Sequence, residues 1–218
     1  MGSEPISPLR IAALLLQYPT SGLREALGSL EEGDLRGLKR ERAGIERLLT
    51  LYATPPVSEL ERSYTETFDF SRQRSLHLTY HLHGDSRQRG IALLRLKQAY
   101  EAAGFELTAT ELPDYLPLML EFADLAGPAG IELLAQHSIS IQLIRSSLDR
   151  ERSPWTAPLD AVARQLPGLS RREIAKLRRL AASGPPTEEV GLEPFAPPEI
   201  MGGDEPGGAP LPIVGGRS

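Results

Sequence analysis

Wherever this chain carries an apolar pattern, the pattern recurs at three- and four-residue spacing, and proline or glycine closes it. No segment alternates β-branched or aromatic residues with period two, so the sequence predicts helices and no strands. Pro8 fits the first turn of a helix through Gln17, stopped by Tyr18 and Pro19. Leu23, Ala26, Leu27 and Leu30 mark a short second helix. Leu38, Ile45, Leu48, Leu49 and Tyr52 line a third, ended by Thr54-Pro55-Pro56, and a fourth runs from Val57 through Leu60 and Tyr64 to Phe68. Asp85 reads as the next N-cap, with Gln88 completing a capping box and Gly104 as the C′ residue. Pro113 then opens a helix that closes at Gly127-Pro128. Ala129 to Arg150 reads as the longest helix, with Ile131, Leu134, Ile141 and Leu148 facing the core. Ser153-Pro154 and Ser170-x-x-Glu173 start two more, the second with a capping box. The expected fold is all-α, a single-domain bundle of about nine helices over residues 1–184. Residues 185–218 are dense in proline and glycine, cannot propagate a helix, and read as a disordered or polyproline-like acidic tail.

A chain of 218 residues with 40% hydrophobic content can bury one good core. It has no cysteine, which excludes disulfides, thiolate metal sites and cysteine nucleophiles. The net charge of -5 resides in the tail, because the acidic and basic residues of 1–184 cancel. That balance argues against a nucleic-acid binder, which needs a basic surplus on its folded part. No apolar run reaches the ~18–20 residues that span a bilayer. The opening stretch lacks a basic region before Ile11–Leu16 and is not expected to act as a secretory signal. The chain is therefore expected in the cytoplasm, without stable membrane association.

Chemistry concentrates between Thr67 and Phe122. Four arginines, Arg72, Arg74, Arg87 and Arg89, crowd around a turn. On the helix after Pro113, Tyr115, Leu116, Leu118, Met119, Leu120, Phe122 and Leu125 form a broad apolar arc, while Asp114, Glu121 and Asp124 share the remaining sector. Two readings follow: a central bundle helix whose acids pair with nearby arginines, or the floor of a groove that takes an amphipathic partner with basic residues. Arg89 projects into the apolar face of its own helix. A buried lone charge is costly, so Asp69, Glu111, Asp114 and Glu121 are its candidate partners. An ion-pair network and an anchor for an anionic ligand such as phosphate both fit that cluster. His77, His81 and His83 raise a metal site, since His77 and His81 have ligand spacing on a helix, but no HExxH pattern or fourth ligand accompanies them. No nucleophile elbow or glycine-rich phosphate loop is present. A helical enzyme or a metal- or nucleotide-binding protein built on His77, His81 and the arginines remains the alternative in the enzyme class. An adaptor working through its Pro-rich tail is a further one.

The stretch SLHLTYHLHGDSRQRGIALLRLKQAYEAAGFEL, followed by ELPDYLPLMLEF, closely resembles the nitrate reductase molybdenum cofactor assembly chaperones, the delta-subunit family of redox-enzyme maturation chaperones. The specific match covers Tyr64 to Phe122, and the flanking helices agree in number and order. The resemblance implies a non-catalytic cytoplasmic chaperone. It would bind the N-terminal segment of the apo nitrate reductase alpha subunit and keep that subunit competent for insertion of molybdenum guanine dinucleotide before membrane docking. It would be absent from the finished enzyme. The cofactor is the client's; none is expected in the chaperone, and cofactor-delivery proteins are further candidate partners. In the wider group the binding motif carries a glutamate, a proline and an Asp-His pair. Glu111, Pro113 and Asp114 match it, and Tyr115 stands in place of the histidine. Together these considerations assign Tyr115, Leu116, Met119 and Phe122 to an apolar groove and Glu111, Asp114 and Glu121 to its acidic rim. Asp69, Arg87 and Arg89 form the supporting ion-pair network.

Overall fold

We analysed a computed structural model that describes residues 5–107, 111–184 and 186. Among these residues the chain is all-helical. Its helices are α1 (Pro8–Leu15), α2 (Ser21–Gly28), α3 (Arg42–Ala53), α4 (Val57–Phe68), α5 (Tyr80–His83), α6 (Arg87–Ala102), α7 (Leu116–Ala126), α8 (Pro128–Ala135), α9 (Ser138–Arg150), α10 (Thr156–Gln165) and α11 (Arg171–Ser183), with a 3-10 turn at Asp34–Gly37. The expected tail lies, apart from Pro186, outside the described residues.

α1 sits at the centre and packs on α7 and α10, while α9 bridges α10 and α11 and α3 rests on α2 and α10. Both ends of α1 are held by residues far away in sequence. At its start the Ser7 hydroxyl accepts from Arg10 N–H at 3.1 Å and donates to Asp124 of α7. At its end, carbonyls without a helical partner need donors. The buried phenols of Tyr52 and Tyr64 supply them, donating to Leu15 O at 2.9 Å and Leu16 O at 2.7 Å.

The structure holds two more helices than periodicity predicts. One is the single turn α5, inside the stretch read as an arginine-rich turn. The other arises because Ala129–Arg150 is not continuous. The Ser138 hydroxyl donates back to Ala135 O at 2.7 Å and His137 N–H to Leu134 O at 3.0 Å, which draws the backbone out of the helical ladder between α8 and α9. The longest helix is consequently α6, at 16 residues.

Several start sites also move. Ser86, not Asp85, is the N-cap of α6, and the Asp85 carboxylate instead receives Arg89 at 3.4 Å. α7 begins at Leu116 with Pro117 in its first turn, not at Pro113, because residues 114–116 are tied to another strand-like segment. α3 likewise begins at Arg42, leaving Leu38 in extended backbone before it, and α10 begins at Thr156 rather than at Ser153-Pro154. Two signals hold: Gly104 leaves α6 with φ +82°, and Ser170 and Glu173 form a reciprocal capping box on α11.

The α7–α8 hairpin depends on two glycines. Gly127 takes φ +58°, which lets α8 fold straight back. Gly130 lies so close to α7 that a Cβ there would meet Ala123 Cα at 2.5 Å.

Candidate binding cleft

The segment Leu76–Leu78 runs antiparallel to Asp114–Leu116 in a short bridge. Leu78 N–H donates to Asp114 O at 3.0 Å and Leu116 N–H to Leu76 O at 2.8 Å. This pairing brings the turn after α4 against the start of α7, and it directs the Asp114 side chain inward, where it is 0% exposed.

A carboxylate in that position must be fully bonded. Asp114 Oδ2 accepts from Thr79 N–H at 3.2 Å and from the Thr79 hydroxyl, and Oδ1 lies 3.1 Å from His77 Nδ1. Arg89 Nη2 approaches at 3.9 Å. Burial pushes the Asp114 carboxyl upward, but the hydrogen bonds from His77 and Thr79 and the charges of His77 and Arg89 outweigh it. The net effect is to hold the group below the ordinary aspartate value. Arg89 is further fixed by Asp85 and by the Tyr80 ring, 5.5 Å from its guanidinium carbon. Its Nε is buried without a hydrogen-bond partner among the described residues.

Above this network opens a cleft of about 450 Å³. Tyr18, Tyr64, Phe68, Tyr80, Tyr115 and His77 give it an aromatic floor and wall. Asp69 and Glu111 line it with negative charge, Arg72 and Arg89 with positive, and Ser71, Ser75 and Leu76 complete it. The rings interlock: Tyr18 meets Tyr64 edge-on at 5.5 Å, Tyr64 lies 4.7 Å from Phe68, and Phe68 stands 5.6 Å from the buried Trp155. Because the Tyr64 hydroxyl donates to Leu16 O, the Tyr115 hydroxyl is the donor in the 3.3 Å contact between the two phenols. Burial raises the Tyr115 phenol above its usual range, and the charges of Glu111 and Asp69 add to the rise.

The sequence-predicted residues separate into those that meet here and those that do not. Asp69, Arg89, Glu111 and Tyr115 line the cleft, and Asp114 supports it from beneath. Leu116, Met119 and Phe122, expected as groove residues, belong to the core: they are 0%, 1% and 7% exposed. Phe122 packs on Tyr100 at 4.5 Å and Phe105 at 5.2 Å. The reason is that α7 packs between α1 and α8, which covers this part of its apolar arc and leaves Leu125, near the end of the helix, exposed. Glu121 is not a rim residue either. It pairs with Arg10, as Asp124 bonds Ser7, so the acidic seam of α7 is used to anchor α1. Arg87 is exposed and does not line the cleft.

Nor do the histidines converge. His77 is not helical and turns to Asp114, whereas His81 Nε2–H donates to Ser75 O at 2.8 Å. Among the described residues no three His, Cys, Asp or Glu side chains group as metal ligands. Burial holds His81 and His137 below the ordinary histidine value. Arg72, read from the sequence as part of the arginine cluster, lines the cleft, as do Tyr18 and Tyr80, which sequence reasoning passed over and no local pattern marks.

A profile of the nitrate reductase delta subunit family matches residues 21–161. The chain is 35% identical over 167 residues to the probable nitrate reductase molybdenum cofactor assembly chaperone NarJ of Bacillus subtilis, covering 73% of this chain and 88% of that one. It is 33% identical over 163 residues to the probable assembly chaperone NarW of Escherichia coli, with 74% of this chain and 68% of that one covered. Against the nitrate reductase molybdenum cofactor assembly chaperone NarJ of Escherichia coli the figures are 33% over 156 residues, 70% and 66%. These relatives carry the names of chaperones, not of catalysts.

Proposed function

The chain belongs to the nitrate reductase delta subunit family, and from that premise we propose that it is an assembly chaperone for the catalytic alpha subunit of a nitrate reductase. It binds the N-terminal segment of that subunit before the molybdenum cofactor is in place, and so keeps the client competent for insertion and delays its docking to the membrane. The protein itself performs no catalysis, and molybdenum guanine dinucleotide is the client's cargo.

The observation that carries this reading is the cleft over Asp114. Its volume, about 450 Å³, suits a few side chains from one face of a peptide helix rather than a whole helix. Aromatic faces with Asp69 and Glu111 beside them attract a guanidinium or ammonium group. Arg72 and Arg89 favour an acidic or carbonyl group further along the peptide, which sets its direction. Burial of apolar surface supplies affinity at ~25 cal/mol per Å² before the cost of ordering the peptide. Asp114 acts through the side chains it holds: it orients His77 and Arg89 and does not itself reach the surface.

The decisive experiment is a pull-down of apo alpha subunit with and without its N-terminal peptide, paired with calorimetry of that peptide. Capture that depends on the peptide, and weakens in Tyr115→Ala and Glu111→Gln proteins of unchanged melting temperature, supports the assignment. Undiminished peptide affinity in both variants removes the cleft from recognition.

A further inference from the structure

The last helix, α11, differs from every other in the fold. None of its thirteen residues is buried, yet it carries Arg171, Arg172, Lys176, Arg178 and Arg179. At 100° per residue these five cations occupy an arc of about 160°, and Ile174, Leu177, Leu180 and Ala181 occupy the opposite side. α11 packs on α9, where Leu180 and Ala181 line a small cavity together with Leu143, while Ile174 stays exposed.

Elsewhere in the fold, cations are commonly matched: Arg10, Arg42, Arg74, Arg145 and Arg164 each meet a carboxylate. None of the five on α11 makes an ion pair among the described residues. The helix's one acid, Glu173, is committed to the cap, accepting from Ser170 N–H at 2.8 Å and from the Ser170 hydroxyl at 2.6 Å. Arg172 and Lys176 stand four apart, a like-charge spacing that weakens a helix. Local stability is thus sacrificed to concentrate positive charge. The contrast with the remainder is sharp, since residues 1–170 hold 18 Lys and Arg against 22 Asp and Glu.

We propose that the outer face of α11 is an electrostatic docking surface for a bilayer rich in anionic phospholipid. Shape selects this partner. A folded acidic segment or a discrete anion is gripped by a concavity, whereas all five α11 cations are exposed and none lines the cleft over Asp114 or the small cavity beside Leu143. A convex cationic strip about 20 Å long meets a plane of anionic headgroups along its whole length. Because α11 is packed on α9, the helix lies on the surface rather than inserting. Binding is therefore reversible and sensitive to salt.

The test is co-sedimentation of the full chain with phosphatidylcholine vesicles that contain or lack phosphatidylglycerol, at low and at physiological salt. Binding is expected only with the anionic lipid, falling as salt rises. Arg172→Glu/Arg179→Glu, at exposed positions, should keep the wild-type melting curve and lower vesicle binding by about tenfold or more. Binding equal to that on neutral vesicles, or unchanged in the charge-reversed protein, overturns the proposal. So does capture by soluble polyglutamate or duplex DNA in preference to the vesicles, which would reassign the face to an acidic macromolecule.

Discussion

The Asp114 carboxylate, closed off from solvent, lies 3.1 Å from His77 Nδ1, and His77 in turn lines the open cleft. The buried charge and the accessible ring are thereby one unit, spanning the boundary between core and binding surface. On the function proposed above, the pairing lets a residue with no exposure act on recognition through His77.

Substitution at Asp114 should therefore register first in stability. Asp114→Asn retains the shape but weakens the bonds to Thr79, His77 and Arg89, at an expected cost of about 1–3 kcal/mol in urea unfolding. Asp114→Lys, which the sequence alone presents as a surface charge reversal that weakens peptide binding, instead places an ammonium group in a closed site beside Arg89. Its expected outcome is loss of the folded state, visible as absent near-ultraviolet dichroism.

Groove and core can be separated by paired truncations. Met119→Ala should cost about 2–5 kcal/mol of stability, as expected for a core cavity, with little effect on peptide affinity among molecules that remain folded. Tyr115→Ala should reduce peptide affinity by about 1–2 kcal/mol, the scale of a binding hot spot. Equal affinity losses in the two variants would argue that α7 itself meets the client.

The pH dependence follows from the two buried histidines. Burial depresses the values of His81 and His137, so over the interval below about 6.5 the unfolded chain binds protons that the folded chain refuses. Stability should be greatest above that point and fall as the solution is acidified through it, by at most about 1.4 kcal/mol per pH unit for each histidine. Asp114, whose value is also depressed, adds its own loss only at lower pH, beneath the ordinary aspartate range. Denaturant melts from pH 8 to 5 check the first part; a flat midpoint would contradict it.

Gly130→Ala should destabilise by about 1–3 kcal/mol, because its methyl group would press on the α7 backbone rather than on a yielding side chain. The change in urea midpoint, with m unchanged, is the measurement.

How far the sequence could be read depended on whether a feature was local. Periodicity and punctuation found α1, α2, α3, α4 and the boxed start of α11, because each is decided within a dozen residues. The break at His137 escaped, since Ser138 competes for a carbonyl in a stretch with uninterrupted helical period. The start of α7 was misplaced because a long-range bridge to His77, not Pro113, sets it. A helical wheel identifies an apolar arc but not what covers it, so Leu116 and Met119 read as groove while α1 and α8 enclose them. Tyr18 reaches the cleft from the chain just after α1, and only the tertiary packing could reveal that.

Tyr64 belongs to two systems at once, since its phenol holds the end of α1 while its ring paves the cleft and leans on Phe68. If the cleft receives the client as proposed, evolution cannot adjust that floor to a new one without loosening the central helix. Divergence among homologues in what they recognise should accordingly accumulate on the perimeter, at Tyr18, Asp69, Arg72 and Glu111, where side chains are free to vary at small thermodynamic penalty.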